Sequence, residues 1–150
     1  MAHFSADPNM LDIYNRGGDI HAMTASLVFG VSLDKVTPEM RRKAKAVNFG
    51  IIYGISEYGL SESVHCSVKE AKKFIEAYFA SFPRVKDFVD KTVENAKKTG
   101  EVRTLFGRRR KISELSSSNF MTRSFGERAA MNTPLQGSAA DIIKIAMISV

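Results

Sequence analysis

Along most of this chain apolar residues recur at three- and four-residue spacing, the pattern of helices that bury one face. Asp19 stands where an N-cap would, ahead of His21, Met23, Val28 and Phe29, and Gly30 offers a stop. Thr37-Pro38-Glu39 is a second helix start, with Thr as N-cap and Pro at the first helical position. Behind it Met40, Ala44, Val47 and Ile51 fall on one narrow face, the core stripe of that helix. Ser67-Val68-Lys69-Glu70 has capping-box spacing, and Ala71, Phe74, Ile75 and Tyr78 follow it in helical register until Pro83. Val85, Phe88, Val89 and Val93 predict one more helix, with Gly100 as its stop.

The period changes after Glu101. Val102, Thr104 and Phe106 alternate, Gly107 interrupts, and Arg108-Arg109-Arg110 leads to Ile112, which predicts a short β-hairpin with a basic second arm. Ser116-Ser117-Ser118-Asn119 reads as a loop, and a last helix is expected from near Thr122, interrupted at Pro134. Ile142, Ile143, Ala146 and Met147 give it an apolar face, and Val150 closes the sequence without a cap, as in a piece cut from something larger. The expected fold is mainly α, with one hairpin, no internal repeat and no long low-complexity segment.

Length and composition narrow the class without naming a function. The 150 residues are enough for about one domain, and 44% hydrophobic with 25% charged residues describes an ordinary globular chain. No apolar run approaches the roughly 18 residues of a membrane span, and the first residues lack a secretion signal, so no membrane partner is expected. One cysteine, Cys66, cannot form an intrachain disulfide and fits a reducing cytoplasm. Lys and Arg number 22 against 16 Asp and Glu, a net charge of +6. That excess suits a polyanionic partner, and it equally suits a solvated basic surface.

One feature is more specific. Arg41, Lys45, Phe49 and Tyr53 lie four residues apart and form a second stripe away from the core stripe. Arg and Lys alone would be a solvated edge. Two aromatics beside them need either a second packing surface or a ligand. Residues four apart rise about 6 Å along a helix, so the stripe spans about 18 Å. A nucleoside triphosphate has a polyanionic tail and a flat base at comparable separation. Arginine offers a fixed fork to phosphate, lysine a compact charge that can release a proton, and the aromatics offer π-faces.

The run from Met40 to Gly54 resembles the R-x3-K-x3-F-x3-YG motif of family A DNA polymerases. Gly18-Asp19-Ile20-His21, Thr104-Leu105-Phe106-Gly107-Arg108-Arg109-Arg110 and Pro134-Leu135-Gln136-Gly137-Ser138-Ala139-Ala140-Asp141 resemble the same family in the same order, over essentially the whole chain. The resemblance implies polymerase fingers helices at about 10–112, a short hairpin, and palm-adjoining segments at 1–9 and 113–150. It implies that Arg41 and Lys45 bind the incoming dNTP, that Lys45 acts as general acid for the departing pyrophosphate, and that His21 touches the triphosphate. Phe49 would pack on the sugar and base, Tyr53 would stack near the template position, and Ser56 would contact the template strand. Arg128, Asn132 and Gln136 would read primer–template DNA from the minor groove. The Arg108–Arg110 run would meet DNA backbone or structural carboxylates. His3, His65 and Cys66 read as surface residues.

Such an enzyme needs two divalent metals, Mg²⁺ by implication, and no metal-ligand spacing occurs here. The resemblance puts the metal-binding aspartates before Met1 and beyond Val150, so this chain is expected to bind nucleotide and primer–template rather than catalyse alone. Two other readings stay open: a non-catalytic helical nucleic-acid-binding module, and the related single-subunit RNA polymerase type. Phe49 and Lys45 argue against the first, and the Gln136–Asp141 stretch and aromatic placement against the second.

Overall fold

A computed structural model describes residues 1–149; Val150, where the sequence closes uncapped, lies outside the described residues. The described chain runs α1 (Ala2–Ser5), α2 (Pro8–Asn15), α3 (Ile20–Phe29), α4 (Pro38–Ile52), α5 (Glu57–Val64), α6 (Val68–Ser81) and α7 (Pro83–Thr99). Then come β1 (Glu101–Arg103), β2 (Arg109–Lys111) and α8 (Phe120–Ile148), with 3₁₀ turns at Leu33–Lys35 and Ser113–Ser116. The mainly α class with one hairpin is the fold expected. It divides into two compact units, Met1–Asp87 and Phe88 onward, and the boundary falls within α7.

Local chemistry explains where the helices begin. Asp19 Oδ1 accepts from the His21 and Ala22 amides at 2.9 and 3.2 Å, and Gly30 closes α3 at φ 65°. Thr37 caps α4 through the Met40 amide, with Pro38 at the first position. Ser67 and Glu70 close the capping box of α6, an arrangement that satisfies two otherwise orphaned amides. Gly100 follows α7 at φ 71°, a left-handed backbone that glycine adopts without strain. Three short helices were not foreseen: α1, α2 and α5. The caps of α2 and α5 are visible afterwards, since Asp7 accepts from the Asn9 and Met10 amides and Ser56 from that of Gly59. Eight residues or fewer carry too few turns for a periodic signal to stand out.

In the first unit Met10, Ile13, Val47, Ile51, Leu60, Val64, Tyr78, Phe82 and Val85 form one buried core. Asp7 is itself fully buried and ties two helix starts together, because its second oxygen accepts from the Arg84 amide at 3.1 Å. Ala44, Val47 and Ile51 bury as the core stripe of α4 requires, and Met40 is half-buried. The buried face is wider than that stripe, because Asn48 and Gly50 belong to it too. A Cβ on Gly50 would stand 2.5 Å from Ile55 Cγ2, so any larger residue there would force the Ile55 side chain to shift.

The second unit has a smaller core of Ala96, Val102, Ile112, Leu115 and Ala130. The strands are antiparallel, with Glu101 opposite Lys111, Val102 opposite Arg110 and Arg103 opposite Arg109. Pro134 does not interrupt α8, which runs unbroken from Phe120 to Ile148. A helix-interior proline removes one i→i−4 bond, a loss that tertiary packing overrides here. Gly126, Ala130, Thr133, Pro134, Ser138 and Asp141 make one buried face of small residues on that helix. The Leu105 amide donates to Ser138 Oγ at 2.8 Å, and Arg108 Nε to Asp141 Oδ1 at 2.7 Å, which pins the hairpin turn to the helix.

That close approach carries an expectation. A Cβ on Gly137 would lie 2.6 Å from Thr104 Cγ2. Gly137→Ala, which would stabilise an open helix by about 1 kcal/mol, should instead destabilise this one by about 1–3 kcal/mol. Urea unfolding of the two proteins measures the difference, and equal or raised stability would contradict the packing described.

Candidate functional site

The first unit presents one polar face built by α3 and α4. Helical geometry places Arg41, Lys45 and Phe49 along one side of α4, with Tyr53 as its C-cap. The side chain of Arg41 is 46% exposed, Phe49 is 46% and Tyr53 48% exposed, and Lys45 is exposed. About half of each aromatic is therefore open to solvent. Lys45 Nζ lies 5.8 Å from the Phe49 ring centroid, a cation–π approach across one turn.

His21, in the first turn of α3, comes to the same face. Its ring lies 6.0 Å from that of Phe49, tilted by 38°. Arg41 Nε donates to Asp19 Oδ2 at 2.6 Å, so the residue that caps α3 also holds the first member of the stripe. Burial, then the positive charge of Arg41 and more weakly of Lys45, keeps the His21 imidazole below the ordinary histidine range; Asp19 pulls the other way. The hydrogen bond from Arg41 is also the main reason the Asp19 carboxyl lies below its ordinary range.

Next to these groups opens an apolar cleft of about 210 Å³, lined by Met10, Tyr14, Ile20, His21, Asn48 and Phe49 among others. Phe49 thus has a cation near its ring and also lines a hydrophobic recess. A flat, polar-edged group with a polyanionic tail fits such a face: guanidinium and ammonium for the tail, ring faces for the plane.

The remaining candidates divide. Ser56 sits just past α4 and caps α5, so its hydroxyl already has a local role. In the second unit Arg128, Asn132 and Gln136 lie along one line of α8; Arg128 and Asn132 are half-buried, Gln136 is exposed, and Arg128 donates to Ser124 Oγ at 2.9 Å. The arginine run meets carboxylates within the unit: Arg108 pairs with Asp141 and Arg109 with Glu101, while Arg110 donates to Thr133 Oγ1. His3 and His65 are exposed, and Cys66 is half-buried. Among the described residues no three His, Cys, Asp or Glu side chains gather into a set that could hold a metal ion.

Sequence reasoning missed Asn48. It is 7% exposed and its amide reaches both His21 Nδ1, at 3.0 Å, and Thr24 Oγ1, at 3.1 Å. The available signal was an amide beside Val47 on the core side of an amphipathic helix, a place where a polar side chain needs partners. The pairing of Asp19 with Arg41 was also unforeseen, since the cap accounted for Asp19 already.

Comparison with known proteins identifies the family. The family model described as DNA polymerase family A matches residues 1–150. DNA polymerase I of Geobacillus stearothermophilus is 57% identical over 148 residues, which is 99% of this chain and 17% of that protein. DNA polymerase I of Bacillus subtilis (strain 168) is 56% identical over 148 residues, again 99% and 17%. The chain therefore spans about a sixth of the length of these relatives. Among solved structures, the POL domain of Pol1 from M. smegmatis in complex with DNA primer-template and dNTP superposes with a TM-score of 0.92 at 48% identity, covering 98% of this chain and 26% of that one.

The Asp19–Arg41 pair yields a pH expectation. A carboxylate whose folded pKa is depressed contributes stability above its unfolded pKa and loses it as pH falls through the folded value. Both partners are more than two-fifths exposed, so solvent screening limits the pair to about 0–1 kcal/mol. Asp19→Asn keeps a capping oxygen but loses the charge, and should lower stability slightly at pH 7. That gap should close as the pH drops below the ordinary carboxylate range, as followed by thermal unfolding across pH; a gap independent of pH would refute the assignment.

Proposed function

The chain belongs to DNA polymerase family A, and from that premise we propose that it is the nucleotide-presenting part of a template-directed DNA polymerase, a nucleotidyltransferase of replication and repair. Residues at about 10–112 are the fingers, and 1–9 and 113–150 adjoin the palm. The observation that carries the reading is the exposed line of Arg41, Lys45, Phe49 and Tyr53 with His21 beside it. A solved relative of matching fold, described as holding primer-template and dNTP, supports it.

In this reading Arg41 and Lys45 hold the triphosphate tail, the first through a planar fork and the second through a point charge. Lys45 is also the group that delivers a proton to the departing pyrophosphate. His21 donates a hydrogen bond to the same tail. Phe49 packs on sugar and base, with the cleft behind it, and Tyr53 stacks near the template position with Ser56 on the template strand. Arg128, Asn132 and Gln136 follow the minor groove of the primer–template, where the acceptors shared among base pairs permit a check of shape with little sequence preference.

Polymerases of this family generally use divalent metal, Mg²⁺ in this proposal, to activate the primer hydroxyl and stabilise the leaving phosphate. Its aspartates are assigned, as the family resemblance implies, to polymerase segments other than this chain. No described helix is long and apolar enough to cross a membrane. We place the enzyme in the bacterial cytoplasm with the chromosome it would copy.

Two experiments test this. A complete polymerase carrying the segment should extend a primer on a template, with Lys45→Ala cutting the single-turnover rate by about 10²–10⁴-fold. Residues 1–150 alone should show no extension with Mg²⁺ and dNTPs. Full activity in the Lys45 variant, or template-dependent incorporation by the chain alone, would overturn the respective assignment. The second test concerns the sugar. Phe49 lacks the hydroxyl a tyrosine would bring near the 3′ side, so Phe49→Tyr should relax discrimination against dideoxynucleotides. An unchanged ratio of dideoxy to deoxy incorporation would show that Phe49 does not pack where proposed.

A further inference from the structure

We propose that Asn48 is a positioning residue for His21, fixing its imidazole as the neutral tautomer that carries the proton on Nε2. His21 then meets the nucleotide tail as a neutral hydrogen-bond donor. The inference rests on the reading that His21 touches the triphosphate.

Thr24, Asn48 and His21 form a chain of donors and acceptors that runs out from the interior. Thr24, fully buried, has one hydroxyl proton and two places to send it: the Ile20 carbonyl at 2.7 Å and Asn48 Oδ1 at 3.2 Å. The shorter contact takes it. Thr24 Oγ1 can then only accept, and Asn48 Nδ2 lies 3.1 Å from it. The same Nδ2 lies 3.0 Å from His21 Nδ1. Each amide hydrogen has one acceptor, so Nδ1 must be bare and the ring proton sits on Nε2. Reversing the amide would turn its carbonyl to His21 and demand the opposite tautomer, an outcome the experiment separates.

The surroundings favour the neutral ring. Arg41 and Lys45 face His21 from α4, and Asp19 is the carboxylate at its own helix start. Tyr14 of α2 and Met1, with its amino group, line the adjoining cleft. Two cations outweigh one carboxylate that is already bonded to Arg41. A doubly protonated imidazole would also turn an N–H toward the amide N–H of Asn48, two donors with no acceptor between them.

A positioning role predicts a particular kinetic pattern in the complete polymerase. Asn48→Ala should weaken apparent dNTP binding in single-turnover experiments about five- to tenfold, the worth of one hydrogen bond, with the maximal rate within about twofold. In a His21→Ala background the same change should have no further effect. Asn48→Asp is nearly isosteric, yet its carboxylate would draw the proton to Nδ1 and leave Nε2 bare. That variant should bind dNTP about tenfold more weakly above the histidine range and recover as the ring takes a second proton at lower pH, while the parent stays flat. A penalty that persists in full without His21, or an Asn48→Asp profile parallel to the parent's, overturns the proposal. If His21→Ala alone leaves dNTP binding unchanged, the triphosphate contact itself is wrong and the positioning role falls with it.

Discussion

Asp19 uses its two carboxylate oxygens for two different tasks. Oδ1 accepts from the first amides of α3, and Oδ2 accepts from the Arg41 guanidinium on α4. One side chain thereby starts one helix and sets the other against it, which brings His21 and the stripe to a common face. The apolar seam alone would leave the helices free to slide by a turn, since contacts of that kind are non-directional. Directional bonds fix the register: Asp19 to Arg41 at the exposed end, and Thr24 with His21 to Asn48 within. The placing of His21 beside Arg41, Lys45 and Phe49 depends on that register.

The second unit solves a different problem, how to hold a two-stranded hairpin that could not stand alone in water. It does so by docking the turn on a face of small residues in α8, with Ser138 and Asp141 receiving donors from Leu105 and Arg108. This changes the meaning of the basic run at 108–110. Arg108 and Arg109 already have carboxylate partners, and a paired charge adds less to the field a polyanion would feel. The net charge of +6 is thus a poor guide to where a nucleic acid would lie. The exposed stripe of α4 is a better one.

The long helices were legible because caps and periodicity agreed: Asp19 with Gly30, Thr37 with Pro38, and the Ser67–Glu70 box. Pro134 was misread because a local rule met a tertiary one, burial among small residues that keeps α8 continuous. The stripe was legible as a pattern, but periodicity could only say that Phe49 and Tyr53 leave the core face. It could not say that about half of each side chain stays open to solvent. Asn48 was invisible for a related reason. A polar residue on a core face is either an error or a partner in a network, and the partners, Thr24 and His21, lie more than twenty positions away.

The contrast between exposed and buried polar contacts bears on how such a face could work. The contacts that Arg41 and Lys45 make on the stripe, an exposed ion pair and a cation–π approach, are each worth about 1 kcal/mol or less in water. Arg41 can exchange the Asp19 carboxylate for a phosphate oxygen at little cost, because both are anions and the site is open to solvent. The Thr24–Asn48–His21 chain is different. Its groups are wholly or partly buried, and breaking one bond would strand a donor or acceptor at about 1–3 kcal/mol. On the proposed reading, ligand binding would remake the outer contacts and leave the inner ones in place. In that proposal Arg41 and Lys45 would supply adaptable charge and His21 a fixed direction, and a triphosphate needs both if its reacting phosphorus is to be held in one position.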